Sequence, residues 1–332
     1  EESAAPFHDW NESVAEECYG PITHAAYEGS DGRDLTYDET LNRLSFDFGP
    51  TLTSWLERER PSILKRIVAA DRVSRAAIAQ PYFHNIMPLE SRRDKETLVR
   101  WGMAEFRHRF GRPARGMWLP ETAVDNETLG VLSAEGVAFT ILDPKQAEAV
   151  RSPNGIWTNM DPDILYTKMP YQWTSPKDPA KKLAVFFYSR QLSRAVVTGD
   201  ALASPAHLVE EVRSRFTPDD TTQLLSIASD GEFYGHHHKK IGRVLDLTLD
   251  RLVTDAVTPI DYARFLDLAP PTHDVRIRER TAWSCDHGLG RWQRDCGCRS
   301  AHLSKWRQEW RTPLRTALTH LASDIDDFYQ KE

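Results

Sequence analysis

QLLSIASDGEFYGHHHKKIGRVLDLTLDRLVTDAV, residues 223–257, carries the pattern that decides the fold. Residues 223–228 form a short apolar run of strand length. SDGEFYGHH, 229–237, then sets an aspartate, a glutamate and two histidines around two glycines. From Lys239 onward apolar residues recur along one helical face. Strand, acidic loop and helix, in that order, make the repeating unit of a parallel sheet with crossover helices. The loop itself reads three ways: a catalytic loop at a strand's end, a metal site, or a solvated turn.

The same alternation extends upstream. Strands are predicted at RLSFD (43–47), AAIAQ (76–80), RGMWL (115–119), VAFTIL (137–142) and LAVFFY (183–188). Helices are predicted at 94–110, where Leu98, Trp101, Phe106 and Phe110 share a face, and at 204–216, with Ser204 as N-cap and Pro205 at the first helical position. About six strand–helix units follow from this count. They predict an α/β fold, compatible with a barrel or an open doubly wound sheet. Residues 145–180, rich in Pro, Asp, Asn and Lys, are expected to be a long insertion beside the site. The expected division is a catalytic domain over 1–255 and a helical C-terminal region over 256–332. In the latter, Trp306, Trp310, Leu314, Leu318, Leu321, Ile325 and Phe328 trace an amphipathic helix kinked or restarted at Pro313.

Composition narrows the function. A net charge of −7 opposes nucleic acid as a partner, because phosphate neutralisation needs a basic surface. No apolar run nears the roughly 20 residues of a membrane span. Four cysteines are too few for a disulfide scaffold at this length, and no signal-like segment stands at the start, so a cytoplasmic location is expected. No Met leads EESAAPFHDWNE, and a processed or incomplete N-terminus is expected. Ten tryptophans suit sugar binding, since flat aromatic faces stack on pyranose rings.

In parallel α/β folds catalytic groups sit just past the C-terminal ends of strands. Glu121 follows the run ending at Leu119 by two residues, and Asp230 follows the run ending at Ala228 by two. A single acid in such a place is more often a cap or a surface charge. Two of them, flanked by Trp118 and the His-rich loop, point to a carboxylate pair. Carboxyls about 5–5.5 Å apart serve a retaining glycosidase, one attacking the anomeric carbon and the other exchanging protons. Cys285, His287, Cys296 and Cys298 form a second cluster, C-x-H followed by C-x-C, whose spacing matches no common zinc pattern. It is expected to shape a loop beside Trp283 and Trp292, with a structural zinc site or a disulfide as the alternatives. Trp283, Arg291 and Trp292 are candidates to line the cleft.

GMWLPE (116–121) and SDGEFYGHH resemble the two catalytic signatures of family 57 glycoside hydrolases. RLSFDFGPTL (43–52) and QPYFHNIMPL (80–89) resemble further segments of that family in the expected order. HDWNESVAEECY (8–19) and WSCDHGLGRWQRDCGC (283–298) are similar to its mainly prokaryotic α-amylase/α-mannosidase-like branch. The resemblance implies an incomplete (β/α)7 barrel followed by helices, here lacking its first strand, because the family's strand ending in His-Gln-Pro is absent. It implies Glu121 as nucleophile and Asp230 as general acid/base. It implies substrate-binding roles for His84, for Trp118 (a stacking platform or a barrel filler), and for Glu232 and His236, which orient Asp230 or the substrate. Asp47 stands where the family pattern implies Asn, and its charge is expected to raise a neighbouring carboxyl pKa. The implied substrate is an α-glucan such as starch, glycogen or a maltooligosaccharide, with no organic cofactor or metal in the chemistry. Two rivals stand beside this reading. One is a non-catalytic carbohydrate-binding relative. The other is a metal-dependent α-mannosidase-like hydrolase, for which the adjacent His8 and Asp9 are a poor match to a spaced His-x-Asp pair.

Overall fold

The computed structural model describes residues 5–28, 34–37, 40–218, 221–238, 241–254, 257–298 and 307–330. The chain opens with α1 (Trp10–Val14), a π-helical turn (Ala15–Tyr19) and α2 (Gly20–Thr23). Asp9 caps α1 by accepting the Glu12 N–H at 2.9 Å. An antiparallel pair follows, β1 (Ala25–Glu28) and β2 (Asp34–Tyr37). Helices α3 (Pro50–Glu59) and α4 (Pro61–Ser74) each begin on proline, where the missing N–H has no intrahelical partner to lose. The helix expected over 94–110 is α5 (Arg92–Phe110), capped by Ser91 and ended by Gly111 in the left-handed region. α6 (Asn126–Ala134) starts at the Asp125 cap.

The predicted strands lie side by side in one succession, the first five of them parallel. Phe46 bridges Ala77, Ala79 bridges Met117, and Gly116 bridges Phe139, all parallel. β3 (Phe139–Leu142) then pairs in parallel with β7 (Lys182–Phe187), which follows β4 (Ala147–Arg151), β5 (Thr158–Asn159) and β6 (Tyr171–Thr174) in the chain. The run 223–228 joins through the Ser189 N–H, which donates to the Ser226 carbonyl at 2.8 Å. Only β3 and β7 are regular ladders; the runs at 43–47, 76–80 and 115–119 are held by single bridges, and 223–228 is extended without a ladder. Proline explains the first three. Pro50, Pro81 and Pro120 follow these runs within three residues and have no N–H to extend a ladder. Met117 and Leu119 are fully buried in the main core with Val99, Leu129 and Val185. Burying each such side chain contributes roughly 1.5–3 kcal/mol. Buried Asp71 locks the layer from beneath: it accepts the Ala77 N–H at 2.9 Å and takes Arg112 on both oxygens, at 2.8 and 2.5 Å.

The stretch 145–180 is not a bare loop. It supplies β4, β5 and β6. After α7 (Arg190–Thr198), α8 (Pro205–Arg213), α9 (Ile241–Thr254) and α10 (Tyr262–Leu268), β8 (His273–Ile277) returns to it. The result is a mixed six-stranded sheet in the order β3-β7-β6-β8-β4-β5. Ser204 caps α8 and Pro205 begins it, as the sequence predicts. The described residues after 257 therefore hold a strand and an irregular stretch, 278–298, as well as helices. The last helix is α11 (Arg311–Gln330), with Pro313 in its first turn rather than at a kink. Its apolar stripe is about half exposed, from Ile325 at 45% to Phe328 at 59%; Trp306 lies outside the described residues. Among the described residues no helix is long and apolar enough to cross a membrane.

Candidate active site

A cavity of about 580 Å³ opens between the first and last members of the succession, 43–49 and 224–232. Arg43, Asp47, Gln80, His84, Asp230 and Glu232 are among its polar lining, Trp118 lines it as well, and Leu208, Leu245 and Leu249 are among its apolar walls. That volume and that mix of a few polar groups on an apolar surface suit a small ligand.

The acidic loop is divided between the cavity and the N-terminal segment. Asp230 ends the extended run and caps a 3-10 turn, Gly231–Tyr234, which aims Asp230 and Glu232 into the cavity. The Asp230 carboxyl is open to solvent at the mouth yet walled by protein, and this desolvation raises its pKa to about 6. The charges of Glu232 and Glu121 add to the rise. Behind the turn the chain presses on the π-helical segment. Gly231 accepts the Cys18 thiol at 3.0 Å, and the Tyr19 hydroxyl reaches Glu232 at 3.5 Å. Gly235 has φ +150°, and a Cβ there would stand 2.0 Å from the Glu17 carbonyl oxygen, so only glycine fits. His236 does not line the cavity. Its Nδ1 pairs with the Glu17 carboxylate at 2.5 Å and its ring meets Trp10 edge-on at 5.5 Å. His237 leans on Phe233, and His238 pairs with the Val197 carbonyl at 2.9 Å.

Glu121 has a different setting. It follows the 115–119 run through Pro120 and adopts φ 57°, ψ 20°, with Thr122 also at positive φ. A non-glycine residue held in the left-handed region is strained and needs support from its surroundings. Here the support is the stretch after β8. Trp283 donates its backbone N–H to the Glu121 carbonyl at 3.1 Å and its indole N–H to Glu121 Oε2 at 3.0 Å. The Ser284 hydroxyl donates to the same Oε2. Glu121 is not itself a cavity-lining residue; Trp118 is, and its ring meets Trp283 at 5.3 Å and 70°. Glu121 nonetheless shares its field with the cavity groups, raising Asp230 and opposing the burial that lowers His84.

Asp47 lies in the same cavity. Burial raises its pKa to about 6, a hydrogen bond from the Gln80 amide opposes the rise, and the Asp230 and Glu232 charges reinforce it. The influence thus runs opposite to the expectation: Asp230 and Glu232 raise Asp47, while the rise at Asp230 comes from burial, Glu232 and Glu121. None of the three residues expected to line the cleft from the C-terminal region, Trp283, Arg291 and Trp292, is among those lining the cavity. Trp283 sits on Glu121, and Arg291 donates to the Ser284 carbonyl at 3.3 Å. Trp292 packs instead against Ala123, Ala282 and Leu289 and does not line the cavity. Cys285, His287, Cys296 and Cys298 converge on one point, with all four cysteines of the chain free. His8 and Asp9 pair at 3.2 Å beside α1 and belong to no converging set of ligands among the described residues.

Three contributors are absent from the sequence reading. Ser284 and Gln80 act through contacts that no local pattern announces. Asp143 had a visible signal, since it directly follows the apolar run 137–142. It is buried, takes the Tyr188 hydroxyl at 2.5 Å and caps the turn at Pro144–Gln146. It is the cap that a lone acid after a strand usually proves to be.

The model of glycosyl hydrolase family 57 matches residues 7–263. Alpha-amylase 1 of Dictyoglomus thermophilum is 20% identical over 193 residues, 58% of this chain and 26% of that protein. In structure the chain is similar to an exo-type maltose-forming amylase from Pyrococcus sp. ST04, with a TM-score of 0.68 and 18% identity over 93% of this chain and 53% of the other. It is also similar to 4-alpha-glucanotransferase from Thermococcus litoralis, with a TM-score of 0.66 and 14% identity over 86% and 41%. The chain thus spans about a quarter of the curated relative it matches and about half or less of these two structures.

Proposed function

The chain belongs to glycosyl hydrolase family 57, and on that premise we propose that it is a retaining glycosidase or transglycosylase acting on α-glucans. Glu121 is the nucleophile and Asp230 the general acid/base. The observation that carries the reading is the contrast between the two acids. Asp230 has a pKa of about 6, so it holds a proton in a useful fraction of molecules near neutrality. Glu121 Oε2 receives two donors, the Trp283 indole N–H and the Ser284 hydroxyl, which orient the carboxyl group. Two carboxyls in such different surroundings suit the separate roles the reaction needs.

In the first half-reaction a Glu121 oxygen bonds the anomeric carbon as the glycosidic C–O bond breaks, and Asp230 gives its proton to the leaving oxygen. In the second, Asp230 takes a proton from water or a sugar hydroxyl, whose oxygen displaces Glu121 from the sugar. Trp118 presents an aromatic face to the substrate, and His84, Asp47 and Glu232 bind its hydroxyls. The succession, with the cavity between its end members, supports reading the core as the arc of a (β/α)7 barrel lacking its first strand.

The test is turnover on a panel of α-glucosyl and α-mannosyl oligosaccharides by wild type, Glu121→Gln and Asp230→Asn. Each substitution is expected to lower kcat by orders of magnitude with unchanged circular dichroism. A second reading, glycan binding without turnover, is favoured by one observation: Glu121 is covered by Trp283 rather than lining the cavity. Saturable binding of a maltooligosaccharide that Glu121→Gln leaves intact, with no hydrolysis or transfer by wild type, decides for it.

A further inference from the structure

The irregular stretch 278–298 begins where β8 ends and is tied to the rest of the fold by scattered side-chain and backbone contacts rather than by a ladder, among them Arg280 to the Pro88 carbonyl and Lys145 to Asp286. Its regular contacts are the bridges Val124–Thr281 and Ala282–Cys285, one 3-10 turn at Gly290–Trp292, and a small apolar cluster of Ala123, Ala282 and Leu289. Yet it delivers Trp283 and Ser284 to Glu121 with defined geometry. The residues after them converge on one point.

The Sγ atoms of Cys285, Cys296 and Cys298 and a ring nitrogen of His287 all lie within 4.8 Å of one another. Cys285 Sγ is 3.9 Å from Cys296 Sγ and 3.8 Å from Cys298 Sγ, and His287 Nδ1 is 3.3 Å from Cys298 Sγ. With Zn–S about 2.3 Å and Zn–N about 2.0–2.1 Å, tetrahedral angles put neighbouring sulfurs about 3.8 Å apart and sulfur and nitrogen about 3.5 Å apart. These three separations lie within about 0.2 Å of that tetrahedron, in a set whose ligand atoms all fall within 4.8 Å. They are nearly twice the roughly 2.05 Å of a disulfide, and three thiols cannot all pair within one chain.

We propose that Cys285, His287, Cys296 and Cys298 form a structural zinc site. The set is closed, four protein ligands with no open position, which marks structural rather than catalytic zinc. The local backbone is shaped for it. Gly297, between Cys296 and Cys298, has φ +83°, a turn that brings two sulfurs only two residues apart to one point. Backbone N–H groups of Arg291 and His287 meet the Cys285 sulfur, and that of Asp286 meets the Cys298 sulfur. Such donors stabilise thiolate ligands from the outer shell. Cys285 directly follows Ser284, so the metal fixes the stretch that grips Glu121. That consequence rests on the proposed role of Glu121; metal binding itself does not.

The test is zinc content of the full chain purified under reducing conditions, together with Co(II) exchange. About one zinc per chain is expected, and Co(II) is expected to give the intense visible bands and thiolate charge-transfer absorption of a tetrahedral sulfur-rich site. Cys298→Ser and His287→Ala are each expected to lower zinc occupancy, while Cys18→Ser retains it. Chelation is expected to lower Tm, with recovery on zinc addition. No retained zinc and no cobalt spectrum in wild type, or a disulfide among these cysteines under the same conditions, overturns the proposal even if a variant fails to fold. A zinc-loaded chain without glycosidase activity sinks the functional reading alone; an active chain that binds no zinc or cobalt sinks this one alone.

Discussion

The Trp283 indole N–H donates to Glu121 Oε2 at 3.0 Å, across 162 positions of chain. The contact joins a strained residue at the end of a core strand to an irregular stretch after the last strand. It makes Glu121's orientation a property of both.

Trp283→Phe keeps the ring against Trp118 but removes the donor. A hydrogen bond to a charged group is worth roughly 1.5–3 kcal/mol, so kcat is expected to fall about 10- to 100-fold. Ser284→Ala is expected to act similarly, and the double variant to lose less than the product, because both donors serve one oxygen. Steady-state kinetics beside a thermal melt checks this. An unchanged kcat in both single variants removes Trp283 and Ser284 from the mechanism.

Activity is expected to fall as pH rises through about 6, because Asp230 must carry a proton to serve as the acid and its pKa is raised to about 6. Glu232→Gln removes a nearby negative charge that contributes to the rise. Its alkaline limb in kcat/KM is expected to move to lower pH. A limb that stays in place or moves upward contradicts the assignment.

Asp47 has a folded-state pKa of about 6, above its ordinary 3.8, so the folded form holds its proton more tightly than the unfolded form. Its contribution to stability is fully present below about pH 3.8 and is lost as pH climbs through about 6. Asp47→Asn is therefore expected to stabilise the protein at pH 7.5, on the order of 1–2 kcal/mol once solvent screening is allowed for. The gain is expected to vanish near pH 4. Denaturant melts at the two pH values measure the difference, and equal gains at both refute the electrostatic cause.

Gly235→Ala places a methyl against the Glu17 carbonyl in a backbone region closed to L side chains. We expect a loss of about 2 kcal/mol or more and faster proteolysis in 229–238. Limited digestion with mass mapping reads the site of opening. Wild-type stability would show that the two segments do not meet as described.

Much of the architecture was legible locally. The runs at 137–142 and 183–188 became β3 and β7, and the Ser204-Pro205 signal began α8 where expected, because period, caps and proline act over a few residues. The sheet partners of β3 and β7 were less so. β8 lies in a region read as helical, and its place between β6 and β4 depends on residues more than a hundred positions away. The stripe on α11 announces a helix, but periodicity does not say what covers it, and here it is half exposed.

By itself the sequence determined that acids stand where apolar runs end, which makes Glu121 and Asp230 candidates but does not separate them from Asp143, a cap that also follows an apolar run. Short-range sterics and burial dictate that much. Only the tertiary structure decided what each acid meets: Asp230 crowded beside Glu232, Glu121 held by Trp283 and Ser284, and His236 committed to Glu17 rather than to the cavity. Hydrogen bonds and charges act through space over a few ångströms, and chain separation carries no information about which side chains come within that reach.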